Sequence, residues 1–211
     1  DLNIFYYPQQ FVGAFVFERT ALRKLIYNVH MPTYRRSYYG CTYFFTVVTY
    51  NRRPILTSEA ARNLLHTTWI DVQNRHSFTT DAICLLPDHI HCIWTLPEGD
   101  TNYSMRWKEI KRLFTKGYLD RIGHGEERNP SRQARGEAAL WQRRFWEHTI
   151  RDTADFNQHV DYIHYNPVKH GLVQSVWEWP WSSFHRLVER GYYSKEWGTD
   201  EDKLAQLSIG E

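Results

Sequence analysis

The feature that most constrains this sequence of 211 residues is a pair of apolar segments joined by a very short turn. Residues 81–86 and 89–96 are both rich in Ile, Leu and Cys, and only Pro87 and Asp88 lie between them. Two such segments separated by two turn residues indicate a β-hairpin. The second segment is apolar on both faces, which is typical of a strand at the centre of a sheet.

The remaining segments predict helices and strands in alternation. Strands are expected at 42–49 and 144–150, where β-branched and aromatic residues dominate. Helices are expected at 58–76, 103–119 and 152–166, with a short final helix at 182–189 and a mobile Gly- and Arg-rich loop at 121–139. Pro167 is expected to end the third helix, because the residue before proline disfavours helical dihedral angles. The order β-α-β-β-α-β-α predicts an α+β fold with a ferredoxin-like antiparallel sheet and helices on its faces.

Composition narrows the class of protein. No segment approaches the roughly 20 apolar residues of a membrane span, and no secretory signal is visible. Cys41, Cys84 and Cys92 form no CxxC pair, so we expect reduced core thiols in a cytosolic, cytoplasmic protein. Residues 101–144 hold 11 basic and 5 acidic side chains. Such a basic segment fits contact with a polyanion, although a solvated helix face gives the same pattern.

The chain divides into three parts by its pattern. Residues 1–33 read as an N-terminal extension, with Met31 as the expected natural start. Residues 34–190 carry the compact pattern of one domain. Residues 191–211 hold 2 basic and 5 acidic residues and read as an acidic tail.

Two histidines begin the central strand. Side chains at i and i+2 of a strand share a face, so the imidazoles of His89 and His91 point the same way from Cα atoms about 7 Å apart. This spacing allows both rings to bind one metal ion. A structural role for the pair stays open, because the motif alone is weak.

A tyrosine and an asparagine share one face of the third helix. Tyr162 and Asn166 stand at i and i+4, one turn apart. A phenolic oxygen can attack phosphorus, and an amide oxygen can bind a hard cation. Tyr162 as a buried core residue is the alternative, and Tyr165 is a rival nucleophile on the same helix.

Taken together, these motifs resemble the HUH single-tyrosine transposases, and most closely their REP-associated tyrosine transposase (RAYT) branch. The resemblance is carried, in order, by residues 34–36, 86–100, 103–108, 144–148 and 159–171. It implies a ferredoxin-like domain that cleaves and rejoins single-stranded DNA folded into REP-like hairpins beside a guide tetranucleotide. It further implies a covalent 5′-phosphotyrosine on Tyr162 and a divalent metal, Mg²⁺ or Mn²⁺, on His89 and His91. Related insertion-sequence transposases have Gln where this chain has Asn166, so the third ligand is the least certain.

Basic residues near the motifs are the candidates for DNA contacts. They are Arg35, Arg36, Arg106, Lys108, Lys111 and Arg112. His159 and His164 are candidate proton acceptors for the tyrosine, with surface or packing roles as the alternative. The RAYT branch implies a monomer, whereas insertion-sequence relatives exchange tyrosine helices between the subunits of a dimer.

Two other functions compete with this interpretation. The first is a protein that binds REP-like hairpins without cutting them. The second is an unrelated metallohydrolase built on the histidine pair. That second function predicts another His, Asp or Glu that converges on His89, and it leaves Tyr162 without a role.

Overall fold

The structure, a computed structural model, describes residues 41–124 and 127–198. Within them the order of strands and α-helices is that predicted, with one extra short α-helix. The elements are β1 (Thr42–Val48), α1 (Glu59–Arg75), β2 (Thr79–Leu85), β3 (His89–Thr95), α2 (Tyr103–Arg121), α3 (Pro130–Ala134), β4 (Trp146–Thr149), α4 (Thr153–Lys169) and α5 (Phe184–Glu189).

The four strands form one antiparallel sheet in the order β2-β3-β1-β4. The β2–β3 hairpin turns at Pro87 and Asp88, where the Leu86 amide donates to the His89 carbonyl over 2.9 Å. β1 and β3 lie at the centre and β4 at an edge. This connectivity is the ferredoxin-like arrangement, so the predicted α+β fold class is confirmed.

The sheet separates two apolar clusters. Ile90, Cys92 and Trp94 of β3 face the cluster that contains residues of α1 and α2. Ile93 faces the other cluster, which contains residues of α4 and α5. Because side chains alternate along a strand, His89 and His91 share the α4 face with Ile93. The fold therefore places both histidines under α4.

The helix cap, one ring pair and the cysteines add detail to this core. Ser58 caps α1, because its hydroxyl accepts a hydrogen bond from the Ala61 amide. Trp107 is a core residue that stacks on Trp94 with ring centroids 4.3 Å apart. The three cysteines are buried, and none of them forms a disulfide with another described residue.

The end of α4 differs from the prediction. The helix was expected to end at Asn166, but it continues through Pro167 to Lys169. Proline removes one backbone donor and disfavours the helix at the residue before it. Here it lies in the last turn, and the His170 amide still donates to the Asn166 carbonyl over 3.0 Å. The additional turn carries Lys169 towards the site.

The predicted loop 121–139 also contains structure. Residues Pro130–Ala134 form α3, whose N-terminus is capped by the Asn129 side chain. Pro at the first helical position has no amide hydrogen to satisfy, and an Asn cap accepts from the next free one. The loop prediction therefore missed a proline that begins a helix.

The Trp-rich segment after α4 holds the far edge of the sheet. The Trp179 indole donates to the Leu85 carbonyl over 3.1 Å, and the Leu85 amide donates to the Trp181 carbonyl over 2.8 Å. These two hydrogen bonds hold the Trp-rich segment against β2. The final helix begins at Phe184, two residues later than expected.

Some predictions fall on residues that the structure does not describe. The extension at 1–33, Arg35 and Arg36, and most of the acidic tail lie outside the described residues. Within residues 41–124 and 127–198, no helix has the length and apolar character needed to cross a membrane.

Candidate active site

The two histidines of β3 form the floor of the site. Their ring centroids are 4.7 Å apart, and both side chains are buried. His91 lies opposite Thr46 in the β1–β3 register, and the Thr46 hydroxyl hydrogen-bonds the Nδ1 atom of His91 over 2.9 Å. This contact fixes the ring through one nitrogen and leaves Nε2 as the atom for a ligand.

His89 is oriented by a neighbouring carboxylate. Its Nδ1 atom lies 2.6 Å from the Asp88 carboxylate, which also pairs with Arg52 at 3.2 Å. Burial alone would raise the pKa of Asp88, but the hydrogen bond with His89 and the pairing with Arg52 lower it overall. Asp88 is therefore a charged acceptor, so Nδ1 of His89 carries the hydrogen and Nε2 presents its lone pair. Carboxylates behind metal-binding histidines act in this way.

His91 is kept neutral by its surroundings. Burial lowers its pKa well below the usual value, and the charges of Lys169 and Arg52 act in the same direction. A metal ligand has to be the neutral imidazole. Both histidines therefore have the orientation and, for His91, the protonation state that metal binding requires.

Helix α4 brings the third and fourth groups. Tyr162 is only 1% exposed, and its ring centroid lies 5.3 Å from that of His91. Asn166, one turn later, is fully buried. Within the described part of the chain, neither of its amide atoms has a hydrogen-bond partner. A buried, unsatisfied amide is costly, so Asn166 has the property expected of a ligand for a metal or a phosphate.

Sequence reasoning missed two residues at the site. The ammonium of Lys169 lies 3.5 Å from the Tyr162 hydroxyl and 4.8 Å from the centre of its ring. The ring of His170 lies 5.3 Å from that of His89. Both stand at helical spacing from Tyr162, at i+7 and i+8, but the expected helix end at Asn166 hid this pattern.

The alternative residues of α4 lie elsewhere. Tyr165 packs with the second apolar cluster, close to Val176. The Nε2 atom of His164 hydrogen-bonds the Ser183 hydroxyl over 2.8 Å. The Nδ1 atom of His159 lies 2.7 Å from the Asp155 carbonyl. Lys169 is thus the cation beside the Tyr162 hydroxyl.

The metallohydrolase alternative predicts a third His, Asp or Glu close to the histidine pair of β3. Among the described residues, a single group of three His, Cys, Asp or Glu side chains is close enough to hold an ion, and it is His148, Asp155 and His159. That group includes neither His89 nor His91. On α4, Asn166 is the candidate third ligand, because its buried amide atoms have no hydrogen-bond partner among the described residues.

The second group lies between β4 and α4. The Asp155 carboxylate lies 2.8 Å from His148 Nε2 and 3.1 Å from His159 Nδ1, and it also accepts from the Arg151 side chain. Burial would raise the pKa of Asp155, but the hydrogen bonds from Arg151 and His148 lower it to about 2. Because these donors already use the carboxylate, the group ties β4 to the start of α4.

This network predicts a pH-dependent contribution to stability. The folded pKa of Asp155 is about 2, below the unfolded value of 3.8. The stability that the charged Asp155 contributes is therefore fully present above pH 3.8 and is lost as the pH falls towards 2. We expect Asp155→Asn to reduce the free energy of unfolding by about 2 kcal/mol at pH 7, and the difference from wild type to narrow below pH 3.8. Urea unfolding at pH 7, 4 and 3 measures it, and an equal difference at all three would contradict the assignment.

The predicted DNA contact of Arg106 requires correction. Its side chain is buried on α2, and its five N–H groups donate to Asp100 and to the carbonyls of His76, Ser77 and Asn102. A guanidinium has five donors in all, so none is left for a phosphate. Arg106 instead holds the start of α2 to the loop before β2.

The other described basic candidates lie on the opposite face of the sheet from the histidines. Lys108, Lys111 and Arg112 line a groove of about 680 Å³ between α2 and residues 132–145. Lys111 donates to the Gln142 carbonyl over 3.0 Å, and burial lowers its pKa to about 8. Arg112 pairs with Glu109 at 2.8 Å. The structure therefore groups these three residues but separates them from the site.

The sequence matches the family model described as "Transposase IS200 like" over residues 37–166. This range includes β1 to β4 and the part of α4 that carries Tyr162 and Asn166. The match covers more than half of the chain, so it defines the class of protein.

Full-length relatives give a narrower assignment. The chain is 46% identical over 182 residues to the REP-associated tyrosine transposase of Escherichia coli K12, covering 86% of this chain and 98% of that protein. A Haemophilus influenzae protein described as a putative REP-associated tyrosine transposase is 43% identical over 173 residues, which cover 82% of this chain and 96% of that protein. The solved structure of a REP-associated tyrosine transposase bound to a REP hairpin matches with a TM-score of 0.61 and 45% identity, covering 77% and 88%. The chain belongs to the IS200-like transposases and, within them, to the REP-associated tyrosine transposases.

Proposed function

We propose that this protein cleaves and rejoins single-stranded DNA beside REP-like hairpins, with Tyr162 as the nucleophile. The observation that carries the proposal is the contact of Tyr162 with His91, one helical turn from the unsatisfied amide of Asn166. A hairpin partner is supported by the related transposase whose structure is bound to a REP hairpin.

A divalent metal fits the residues that face Tyr162. His89 and His91 would hold it through Nε2, with Asp88 and Thr46 fixing the two rings from behind. Asn166 would supply an amide oxygen. Such an ion, Mg²⁺ or Mn²⁺, would polarise and orient the scissile phosphate as a Lewis acid. Because two of the three ligands are imidazoles, Mn²⁺ suits the set better than Mg²⁺ does.

The tyrosine needs help to lose its proton, because a free phenol has a pKa of about 10. The Lys169 ammonium, 3.5 Å from the hydroxyl, stabilises the phenolate. The Tyr162 oxygen forms a bond to phosphorus, and the bond from phosphorus to the 3′ oxygen breaks. The phenol loses one proton and the leaving 3′ oxygen gains one, so no net proton is consumed. The resulting 5′-phosphotyrosine keeps the energy needed for rejoining.

The monomer proposal rests on a site that one chain can complete. Tyr162 on α4 and His91 on β3 come from the same chain and lie 5.3 Å apart at their ring centroids. A dimer that exchanged tyrosine helices would instead pair the tyrosine of one subunit with the histidines of the other. Light scattering should give the mass of one chain, and a dimer mass would contradict this.

The basic groove on the opposite face is proposed to hold the duplex stem of the hairpin. Lys108 and Arg112 are exposed there, and cations at such positions neutralise phosphates. The groove and the site approach each other at the β4 edge, where Phe145 lines the groove and Trp146 lies on the α4 face. DNA that crosses this edge would reach both surfaces.

If the groove binds the stem, the affinity for the hairpin depends on salt concentration through Lys108 and Arg112. We expect Lys108→Ala and Arg112→Ala each to weaken hairpin binding and to reduce the slope of log K against log [salt] by about 1. Fluorescence anisotropy at several salt concentrations measures the slope. The control is Arg190→Ala, an exposed cation at the end of α5 on the other face of the sheet. If Lys108→Ala and Arg112→Ala both keep the wild-type slope, the stem does not bind in this groove.

A single assay tests the proposed function. A labelled hairpin with a single-stranded flank is incubated with the protein and Mn²⁺ and resolved on a denaturing gel. We expect a covalent adduct together with a free 3′-OH fragment, both abolished by a chelator. Binding without any adduct would indicate a hairpin-binding protein that does not cut, and cleavage that survives chelation would exclude the metal role.

A further inference from the structure

Three nearly parallel rings form a ladder beside the site, and the cleavage step does not use them. The Trp146 and His148 rings are inclined by 9° with centroids 6.0 Å apart. The His148 and His159 rings are inclined by 12° at 4.7 Å. We call Trp146, His148 and His159 the aromatic ladder.

The inner end of the ladder is held rigidly. His148 and His159 both contact the buried carboxylate of Asp155, which also pairs with Arg151. Trp146 and His148 stand at i and i+2 on β4, so they share the α4 face of the sheet. This network fixes the two histidine rings, and His148 in turn supports the Trp146 ring before any ligand arrives, which reduces the ordering cost of binding.

The outer end of the ladder is open to solvent. Trp146 is 36% exposed on an edge strand that pairs with β1. Among the described residues, the other large apolar side chains with such exposure are Leu119 and Leu172, and neither has a ring. An exposed indole on a fixed support presents a flat surface that another ring can cover.

The ladder lies one ring away from the nucleophile. The Phe44 ring contacts Trp146 at 5.5 Å, His91 at 5.7 Å and Tyr162 at 6.0 Å between centroids. The exposed guanidinium of Arg151 lies at the ladder's Asp155 support. An exposed flat ring this close to the candidate nucleophile matches an unpaired base, which offers a π face for stacking.

We propose that Trp146 is the stacking platform for one unpaired base of the DNA flank next to the scissile phosphate. The inference rests on the proposed function, because it takes single-stranded DNA as the substrate. Stacking there holds the flank in place while the Tyr162 hydroxyl meets its phosphate. Trp146 is thus a binding and positioning residue, and it takes no part in bond breaking.

The test is a scan of hairpin oligonucleotides that each carry one abasic nucleotide in the flank. Binding is measured by anisotropy and adduct formation on a denaturing gel, for wild type, Trp146→Ala and Trp146→Phe. The matched control is Leu172→Ala, which removes an exposed apolar side chain elsewhere. If Trp146→Ala does not fold, Trp146→Leu replaces it, because Leu keeps the contact with Phe44 but has no ring.

For wild type we expect one flank position at which loss of the base weakens binding about 5- to 150-fold. Trp146→Ala should lose that sensitivity, whereas Trp146→Phe and Leu172→Ala should keep most of it. An abasic profile of Trp146→Ala identical to that of wild type would overturn the platform. Because binding is read separately, absence of any wild-type adduct would count against the proposed cleavage alone.

Discussion

Tyr162→Phe is expected to bind the hairpin with wild-type affinity and to form no covalent adduct. The change removes one hydroxyl from a ring that is 1% exposed, so the packing against Phe44 and His91 stays in place. Loss of a nucleophile reduces the rate by a factor on the order of 10⁴ or more. The denaturing gel measures the adduct, and anisotropy measures binding.

The matched control is Tyr165→Phe, three residues further along the same helix. Tyr165 packs with the second apolar cluster, and its hydroxyl has no role in the proposed reaction. This variant should form the adduct at a rate close to that of wild type. Loss of the adduct in Tyr165→Phe but not in Tyr162→Phe would exchange the two assignments.

His91→Ala is expected to reduce cleavage by about 10² to 10³-fold or more, because metal stabilisation of a phosphoryl transition state amounts to several kcal/mol. Calorimetric binding of Mn²⁺ should weaken in parallel, while hairpin binding through the groove persists. The control is His185→Ala, a buried histidine whose Nε2 atom contacts the Trp177 carbonyl away from the site. Equal loss of Mn²⁺ binding in both variants would indicate a general defect in folding.

A smaller loss of Mn²⁺ affinity and of cleavage is expected when the carboxylate that supports His89 is changed. Asp88→Asn keeps the size of the side chain but removes the charge that orients His89. Changes behind a metal ligand cost about 10- to 100-fold in affinity or activity, which is less than loss of a ligand. An Asp88→Asn protein with unchanged Mn²⁺ affinity would contradict the proposed role of His89.

Local rules were sufficient to predict the framework of this fold. The hairpin at 81–96 and the β-α-β-β-α-β order define the sheet, because period and turn length are read directly from the chain. The same alternation places His89 and His91 on one face. Helical spacing likewise pairs Tyr162 with Asn166. These relations hold within one element, so tertiary contacts were not needed to find them.

Relations between elements were harder to predict. Thr46 supports His91 from a neighbouring strand, 45 residues away in sequence, and only the register reveals it. Arg106 was predicted to contact DNA, because its bonds to the carbonyls of the loop before β2 are not visible in the sequence. Lys169 was missed because a local rule about proline was applied to a helix that tertiary packing extends.

The most direct test of the account identifies the residue that carries the DNA. After incubation with hairpin and Mn²⁺, the adduct is digested with nuclease and protease, and the modified peptide is sequenced by mass spectrometry. The account predicts a 5′-linked nucleotide on the Tyr162 phenol within the peptide that spans α4. A nucleotide on Tyr165, or on any residue outside α4, would contradict the central claim.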